Sequence, residues 1–317
     1  MKNLKNNSFV KQNAIWLVFI IEVIIFAIAS GGTFITGNNI INIARQVSYY
    51  GIASIGMTFV ILIAGIDLSI GSIITLVNVV CAYLMVNGQM NMWLAVLIAL
   101  IMATAIGVLN GAMVASIGIP ALIATFASQT VFEGIAYLIS GGRPIAGFGA
   151  NFGIFGRWSL GPVPICALLM ILCFALGSFI LNKTYFGRYF YAIGGNEEAA
   201  ELSGIRVNRV KYLIYALSGF FAGLAGIVLL SRAGSAQSTV GKGLEFDVIT
   251  CVVLGGVSVN GGVGRMSGVV AGVLIIGSLT NGMILMDVSE YTQMVVKGIV
   301  LAVAVGIDCM SKKRQAS

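Results

Sequence analysis

The chain has 317 residues, of which 58% are apolar and only 9% are charged, with a net charge of +7 and a mean hydropathy of +1.01. A soluble protein carries roughly 25% charged residues, so the composition excludes disordered chains and most cytosolic enzyme folds and indicates a polytopic membrane protein. We expect no binding to nucleic acid, because the distribution of the basic residues has another explanation.

Apolar segments recur along the whole chain. A helical span needs about 20 mainly apolar residues, and windows of that size predict ten segments in an all-α fold with both termini on one side. The segments are 14–30, 47–66, 70–86, 93–117, 119–140, 163–182, 211–231, 246–257, 266–286 and 291–310. We expect the short segment 246–257 to dip into the membrane or to break. The transmembrane domain is thus 14–310, between tails 1–13 and 311–317.

The basic residues concentrate on one side of these segments. Twelve of eighteen lie in the two tails, in the loop of about 183–211 and at Arg265, and one, Lys297, lies inside the last segment. The other face carries five, which are Arg45, Arg143, Arg157, Arg232 and Lys242. Cytoplasmic loops carry this kind of excess. We therefore expect a multi-pass protein of the inner (cytoplasmic) membrane with both termini cytoplasmic.

The first segment also has features of a cleaved signal peptide, namely a basic start and an Ala27-Ile28-Ala29 triplet. Glu22 interrupts its apolar run, so retention as a span is the favoured interpretation. The chain has no histidine, no C-x-x-C spacing among its five cysteines and no G-x-x-x-x-G-K-[ST] phosphate loop. We expect no catalytic residue, no metal site and no cofactor in this chain.

Two pairs of short stretches indicate an internal repeat. Residues 64–69 are echoed by 225–230, and residues 107–111 by 277–282, each about half a chain apart. Related halves are common among transporters, so we predict two related halves. Gly107/Gly111 and Gly219/Gly223 have the spacing that allows close helix packing.

The sequence GIDLSIGS at 65–72 joins two apolar segments with almost no loop. One interpretation is a tight solvated turn in which Ser69 or Ser72 caps the next helix. The other is a broken or re-entrant helix in which Asp67 faces a polar pathway, because a carboxylate facing lipid costs about 2.5–3.5 kcal/mol. The sequence alone favours neither.

Polar side chains also interrupt the apolar runs. They are Asn78, Asn110, Gln129, Glu133 and Asn281. A sugar could use such donors and acceptors transiently, but interhelical hydrogen bonds are the favoured interpretation for any single one. Glu133 lies one turn beyond Gln129, so the two should share a helix face.

The loop 183–211 contains the signals of a short helix. Asn196 can cap it, Glu197 and Glu198 would occupy its first turn, and Gly204 can end it. A capped helix in a cytoplasmic loop indicates a docking element rather than a linker.

Several of these stretches together resemble the monosaccharide permeases of ABC importers, the ribose, galactose and autoinducer-2 group. The resemblance covers nearly the whole chain after the first segment. It is carried by GIDLSIGS at 65–72, IPALIATFA at 119–127, FGRYFYAIGGNEEAAELSGI at 186–205, YALSGFFAGLAGI at 215–227 and GLEFDVITCVVLGGVSVNGGVGRMSG at 243–268.

The resemblance implies a permease subunit that pairs with a second copy or a paralogue, docks on a separate ATP-binding cassette protein that holds ATP and Mg, and receives substrate from an extracytoplasmic sugar-binding protein. The residues implied to couple to the ATPase are Gly194, Gly195, Asn196, Glu197, Glu198, Ala199, Ala200, Ser203, Gly204 and Ile205. Candidates for the translocation pathway are Asp67, Ser69, Asn110, Gln129, Asp247 and Asn281.

The identity of the sugar stays open, because some stretches favour ribose members (RVNRVKYLIYAL, GSAQSTVG) and others favour galactose members (RPIAGFG, AVGID). Two other functions are alternatives. One is a branched-chain amino-acid ABC permease, and the other is a secondary transporter that needs no ATPase.

Overall fold

In the computed structural model, the backbone is described for residues 2–316 and the side chains for residues 15–310. The predicted tails 1–13 and 311–317, with their basic residues, fall outside the described side chains. Twelve α-helices form the fold: α1 Lys2–Ala29, α2 Gly37–Leu62, α3 Ile70–Val86, α4 Met92–Ala112, α5 Ala121–Ser140, α6 Ile165–Lys183, α7 Tyr185–Gly195, α8 Glu197–Leu202, α9 Val207–Ala233, α10 Leu244–Leu254, α11 Met266–Leu285 and α12 Glu290–Ala316.

Strands in the described backbone are limited to two-residue pairs. Strand β1 (Ile145–Ala146) pairs antiparallel with β4 (Ser235–Ala236), and β2 (Ser159–Leu160) pairs antiparallel with β3 (Val163–Pro164). A π-helical turn, Met113–Ile117, extends α4, and 3-10 turns lie at Thr33–Ile35 and Ala150–Phe155. The all-α fold class is therefore confirmed.

Among the described residues, six helices are long and apolar enough to cross a membrane. They are Met92–Ile117, Ala121–Ser140, Ile165–Lys183, Val207–Ala233, Met266–Leu285 and Glu290–Met310. Shorter apolar helices occupy Ile15–Ala29 and Ile70–Val86. The eleven-residue α10 rises about 16 Å, half of the roughly 30 Å hydrocarbon core, as expected for its short segment. A polytopic membrane protein is confirmed, whereas the number of ten spans stays a prediction.

Helix α9 lies at the centre and packs against α2, α3 and α4. A Cβ atom added to Gly107 would collide with the backbone carbonyl of Tyr215, and one added to Gly219 would collide with that of Ala103. The backbones of α4 and α9 are therefore in direct contact, which only glycine allows at these positions. The small-residue spacing found in the sequence is a packing device.

The chain doubles back between α2 and α3. Gly56 of α2 lies against the backbone of Ser218, near the middle of α9. Asp67, beyond the end of α2 at Leu62, hydrogen bonds to the hydroxyl of the same Ser218. Residues 63–69 thus run back alongside α2 to the level of Gly56. Asp67 has no exposed surface there. The interpretation of this segment as a solvated turn is wrong, because it is a buried break between two helices.

Loops that are distant in the sequence meet at each end of the helices. At one end the amide of Gly262 donates to the carbonyl of Leu62 at 2.9 Å, and Gly194 packs against both. At the other end Arg45 donates to the carbonyl of Arg157 at 2.9 Å. Arg45 and Arg157, two of the five basic residues assigned to the second face, therefore lie together.

The contact between α4 and α9 predicts that the stability of the protein depends strongly on Gly107. Alanine is a better helix former than glycine by about 1 kcal/mol, but at Gly107 its Cβ meets backbone, and overpacking of this kind costs about 1–3 kcal/mol. We expect Gly107→Ala to lower the unfolding midpoint of the detergent-solubilised protein. Gly134→Ala, where a Cβ meets open space, should leave the midpoint unchanged or raise it. Equal midpoints for the two variants would contradict the direct backbone contact.

Candidate coupling helix and polar sites

Helix α8 forms as the local sequence predicts. Asn196 takes an extended conformation (φ −162°), and its side-chain Oδ1 accepts a hydrogen bond from the amide of Ala199 at 2.9 Å. Glu197 and Glu198 lie in the first turn, where the helix dipole favours negative charge. Gly204 ends the helix with φ +87°, a left-handed conformation that favours glycine.

Helix α8 is fixed on one side and open on the other. Ala200 is buried, and Glu197 forms a 2.6 Å ion pair with Lys211 at the start of α9. The apolar side chain of Leu202 is 90% exposed. Of the implied coupling residues, Gly194 and Ile205 are half-buried, and the exposed ones are Gly195, Asn196, Glu197, Glu198, Ala199, Ser203 and Gly204. An open polar face with an exposed leucine is suited to docking a second protein.

The segment that carries α8 is tied to the ends of other helices. The hydroxyl of Tyr191 in α7 donates to the carbonyl of Gly264 at 3.0 Å. Burial raises the pKa of Tyr191 while nearby Arg265 lowers it, so the hydroxyl keeps its proton near neutral pH. Farther along the same loop, the hydroxyl of Ser258 donates to Asp308 of α12 at 2.9 Å. The loop between α10 and α11 is therefore hydrogen bonded to both α7 and α12.

Asp67 is the centre of a fully buried polar cluster. Its Oδ1 accepts hydrogen bonds from the amide of Ser69 at 3.0 Å and from the Ser69 hydroxyl at 2.5 Å. Its Oδ2 accepts one from the hydroxyl of Ser218 in α9 at 2.7 Å. The hydroxyl of Ser69 therefore serves Asp67 and does not cap α3, which corrects the expected capping role. Ser72 instead donates to the carbonyl of Ser69 at 2.8 Å.

The cluster extends into α4 and α5. Asn110 donates to the hydroxyl of Ser69 at 2.8 Å, and the Asn110 carbonyl oxygen accepts from the hydroxyl of Ser128. Thr125 of α5 accepts a hydrogen bond from the amide of Leu68 at 3.0 Å. Irregular backbone is tolerated at membrane depth only where such groups satisfy it. Three pathway candidates, Asp67, Ser69 and Asn110, thus lie together and join four elements, with no exposed surface in this conformation.

Gln129 lies between two carboxylates. Its Nε2 donates to Glu245 at the start of α10 at 3.0 Å and to Glu133 at 3.3 Å. The expectation that Gln129 and Glu133 share a helix face is confirmed. Glu245 is only 2% exposed, and its second oxygen has no hydrogen-bond partner among the described residues.

Asp247 belongs to a separate site with an ion pair. Its Oδ2 accepts hydrogen bonds from Lys297 of α12 at 2.8 Å and from the hydroxyl of Tyr50 in α2 at 3.1 Å. A cavity of about 560 Å³ lies beside this pair, between α2, α10, α12 and the segment 237–243. The sequence places Lys297 inside a predicted span but does not identify its partner. A lone lysine in an apolar span requires a partner, and this requirement is the signal in the sequence that points to one.

The two remaining asparagines act between helices. Asn281 accepts a hydrogen bond from the side chain of Asn39 at 2.9 Å, and Asn39 also donates to the carbonyl of Phe34 at 2.8 Å. Asn78 donates to the carbonyl of Gly226 in α9 at 2.8 Å. Asn281 thus lies apart from the other pathway candidates. Among the described residues, no group of His, Cys, Asp and Glu is arranged to hold a metal ion.

The hydrogen bonds of Asp67 predict that removal of its carboxylate strongly lowers the stability of the protein. Alanine would leave three buried donor bonds without their acceptor, and an unsatisfied buried donor costs about 1–3 kcal/mol. We expect Asp67→Ala to lower the unfolding midpoint in detergent well below that of the native chain. Ser116→Ala removes an exposed hydrogen bond to Tyr212 and should leave the midpoint unchanged. A midpoint of Asp67→Ala equal to that of Ser116→Ala would contradict the structural role of the cluster.

The chain is similar to known permeases over nearly its full length. It is 45% identical over 278 residues to the ribose import permease protein of Bacillus subtilis (strain 168), covering 87% of this chain and 86% of that one. It is 38% identical over 282 residues to the L-arabinose transport system permease protein of Escherichia coli (strain K12), covering 88% and 85%. It is 33% identical over 350 residues to the xylose transport system permease protein of Haemophilus influenzae (strain ATCC 51907 / DSM 11121 / KW20 / Rd), covering 91% and 93%.

No solved structure matches the chain. A family model described as "Branched-chain amino acid transport system / permease component" matches residues 39–305. The matched range runs from the first turn of α2 into α12 and includes the buried cluster around Asp67 and the capped helix α8. The chain therefore belongs to this family of transport permease components.

Proposed function

We propose that the chain is the membrane-spanning permease subunit of an ATP-driven importer for a monosaccharide or a similar small polar solute. The observation that carries the proposal is the similarity over most of the chain to permeases named for ribose, L-arabinose and xylose. The capped, exposed helix α8 also supports the proposal, because a channel or a secondary transporter would not need this docking element.

The proposed partners follow from the two faces of the fold. A cytoplasmic ATP-binding cassette protein docks on α8 and carries ATP, Mg and the hydrolysis reaction, so this chain is not itself an enzyme and holds no cofactor. A sugar-binding protein delivers substrate at the opposite face, and a second permease copy or a paralogue completes the pathway within the bilayer. In this arrangement the protein crosses the inner membrane ten times with both termini in the cytoplasm.

The proposed mechanism is alternating access driven through α8. ATP binding and hydrolysis in the partner move α8, and the bonds of Tyr191 to Gly264 and of Ser258 to Asp308 transmit the displacement to α12. Recognition of the sugar resides mainly in the binding protein, so the pathway can be weakly selective. Of the pathway candidates, Asp247 lies beside a cavity, whereas Asp67, Ser69 and Asn110 form the buried cluster.

The substrate class can be tested without assuming a transport cycle. The family description names branched-chain amino acids, whereas the permeases cited above are named for pentoses, and we favour a sugar. The binding protein that copurifies with the native importer should bind a monosaccharide in isothermal titration calorimetry. Binding of leucine in place of any sugar would contradict the proposed substrate class.

If α8 docks on the ATPase, a charge reversal in α8 should uncouple ATP hydrolysis from uptake. Glu198 is exposed in its first turn, so Glu198→Lys should leave folding and membrane insertion intact while it reverses the charge offered to the ATPase. We expect at least a tenfold loss of ATP-dependent uptake, equal to about 1.4 kcal/mol, at normal abundance of the permease in the membrane. Glu198→Asp keeps the negative charge at the same position of α8 and should leave uptake unchanged. Equal uptake by both variants would contradict docking through α8.

The distribution of basic residues predicts the orientation of the protein. A green fluorescent protein fused after residue 317 should fluoresce, and an alkaline phosphatase fused at the same position should be inactive, because the C-terminus is cytoplasmic. Fusions at exposed Gly161, between β2 and β3, should give the reverse result. An active C-terminal phosphatase would overturn the orientation.

A further inference from the structure

We propose that the cavity between α2, α10 and α12 holds the monosaccharide during its passage, and that Asp247 and Lys297 bind its hydroxyl groups. The proposal rests on the proposed import of a sugar and names the site within that pathway. Its experiment reads binding directly, so its failure can be distinguished from failure of the import function.

The ion pair keeps unused hydrogen-bonding capacity. Among the described residues, both side-chain hydrogen bonds to the Asp247 carboxylate reach Oδ2, one from Lys297 and one from Tyr50. This leaves Oδ1 available as an acceptor. The Lys297 ammonium has three N–H donors and uses one of them on Asp247. A pair of vicinal hydroxyls needs one such acceptor and one such donor side by side.

The two charges also remain accessible. The side chain of Asp247 is 10% exposed and that of Lys297 is 19% exposed, and both line the cavity. The Asp67 cluster differs, because its residues have no exposed surface and its carboxylate bonds are all made within the protein. Unlike the Asp67 cluster, the Asp247 pair is therefore placed to exchange protein contacts for solute contacts.

The rest of the cavity is suited to a neutral polyol, because its two other charged residues, Lys242 and Glu290, carry opposite charges. Its volume of about 560 Å³ lies within the 300–1,000 Å³ range of small-molecule sites. Gln237, Thr239 and Gln293 add amide and hydroxyl groups to the wall, and Phe246 adds an aromatic ring. Amide and hydroxyl groups can bond sugar hydroxyls in either direction, and an aromatic face can pack against the C–H groups of a sugar ring.

The position of the cavity agrees with delivery from outside. It is bordered by segment 237–243, which follows β4, and by the first turns of α12. Both lie at the end of the helices opposite α8. A sugar released at that face would therefore enter the cavity where it meets Asp247 and Lys297.

Protection of an introduced thiol from labelling tests the site. Cys309→Ala removes the exposed cysteine and leaves four buried ones. Thr239→Cys, or Gln237→Cys in a second preparation, then places one exposed thiol on the cavity wall. The importer, reconstituted with its ATPase, is treated with N-ethylmaleimide with ribose, L-arabinose or xylose, and with glycine betaine at equal osmolarity as the control solute.

We expect at least one sugar to slow labelling while glycine betaine does not. At a sugar concentration about five times Kd, single-site occupancy slows the reaction about sixfold. Asp247→Asn should abolish this protection, and the isosteric Asp287→Asn, outside the cavity, should preserve it. Labelling of Thr239→Cys and Gln237→Cys is measured with the ion pair intact, so the test does not depend on the folding of Asp247→Asn.

Three results would overturn the proposal. One is equal labelling with and without every sugar, and another is full protection that survives in folded Asp247→Asn. The third is failure of both thiols to react, since a cavity that admits a pentose must admit a maleimide of similar size. If ATP-dependent sugar uptake persists in any of these cases, the import function stands and only the site is wrong.

Discussion

The structure depends on how one break in a helix satisfies its polar groups. In the membrane interior no water is available to the backbone, so irregular segments survive only when side chains replace it. Residues 63–69 are such a segment, and the carboxylate of Asp67, with Ser69, Ser218 and Thr125, supplies the missing partners. The break lets α3 begin beside the middle of α9, and it allows α2, α3 and α4 all to pack on that one helix.

This central packing defines what is rigid and what can move. Glycine contacts fix α4 against α9, and the Asp67 cluster fixes the break against α4, α5 and α9. Helix α12 is connected differently, through the ion pair of Lys297 with Asp247 beside a cavity and through the loop that α7 contacts, whereas α10 is held against α11 by a glycine contact at Gly272. We therefore expect a displacement of α8 to move α12 rather than the packed helices α4 and α9. The division suits a transporter that opens and closes a pathway along one side of a stable core.

Local features of the structure could be predicted from the sequence, and long-range ones could not. The Asn196 cap, the glutamates of α8 and Gly204 act within ten residues, so their sequence signals suffice. The environment of Asp67 depends on Ser218, 151 positions away, and a local pattern could not distinguish a solvated turn from a buried break. Asp247 and Lys297 are likewise 50 positions apart. Lysine within an apolar span implies a partner, but neither its identity nor the adjoining cavity can be derived from spacing.

We propose that ATP, and not an ion gradient, drives sugar import through this chain. The most direct measurement is uptake of radiolabelled ribose, L-arabinose and xylose into proteoliposomes that contain the permease, its ATPase and its binding protein. We expect uptake of at least one sugar that requires ATP hydrolysis, persists when proton and sodium gradients are collapsed by ionophores, and stops when the ATPase is omitted. Uptake that follows an imposed ion gradient in the absence of the ATPase would contradict it.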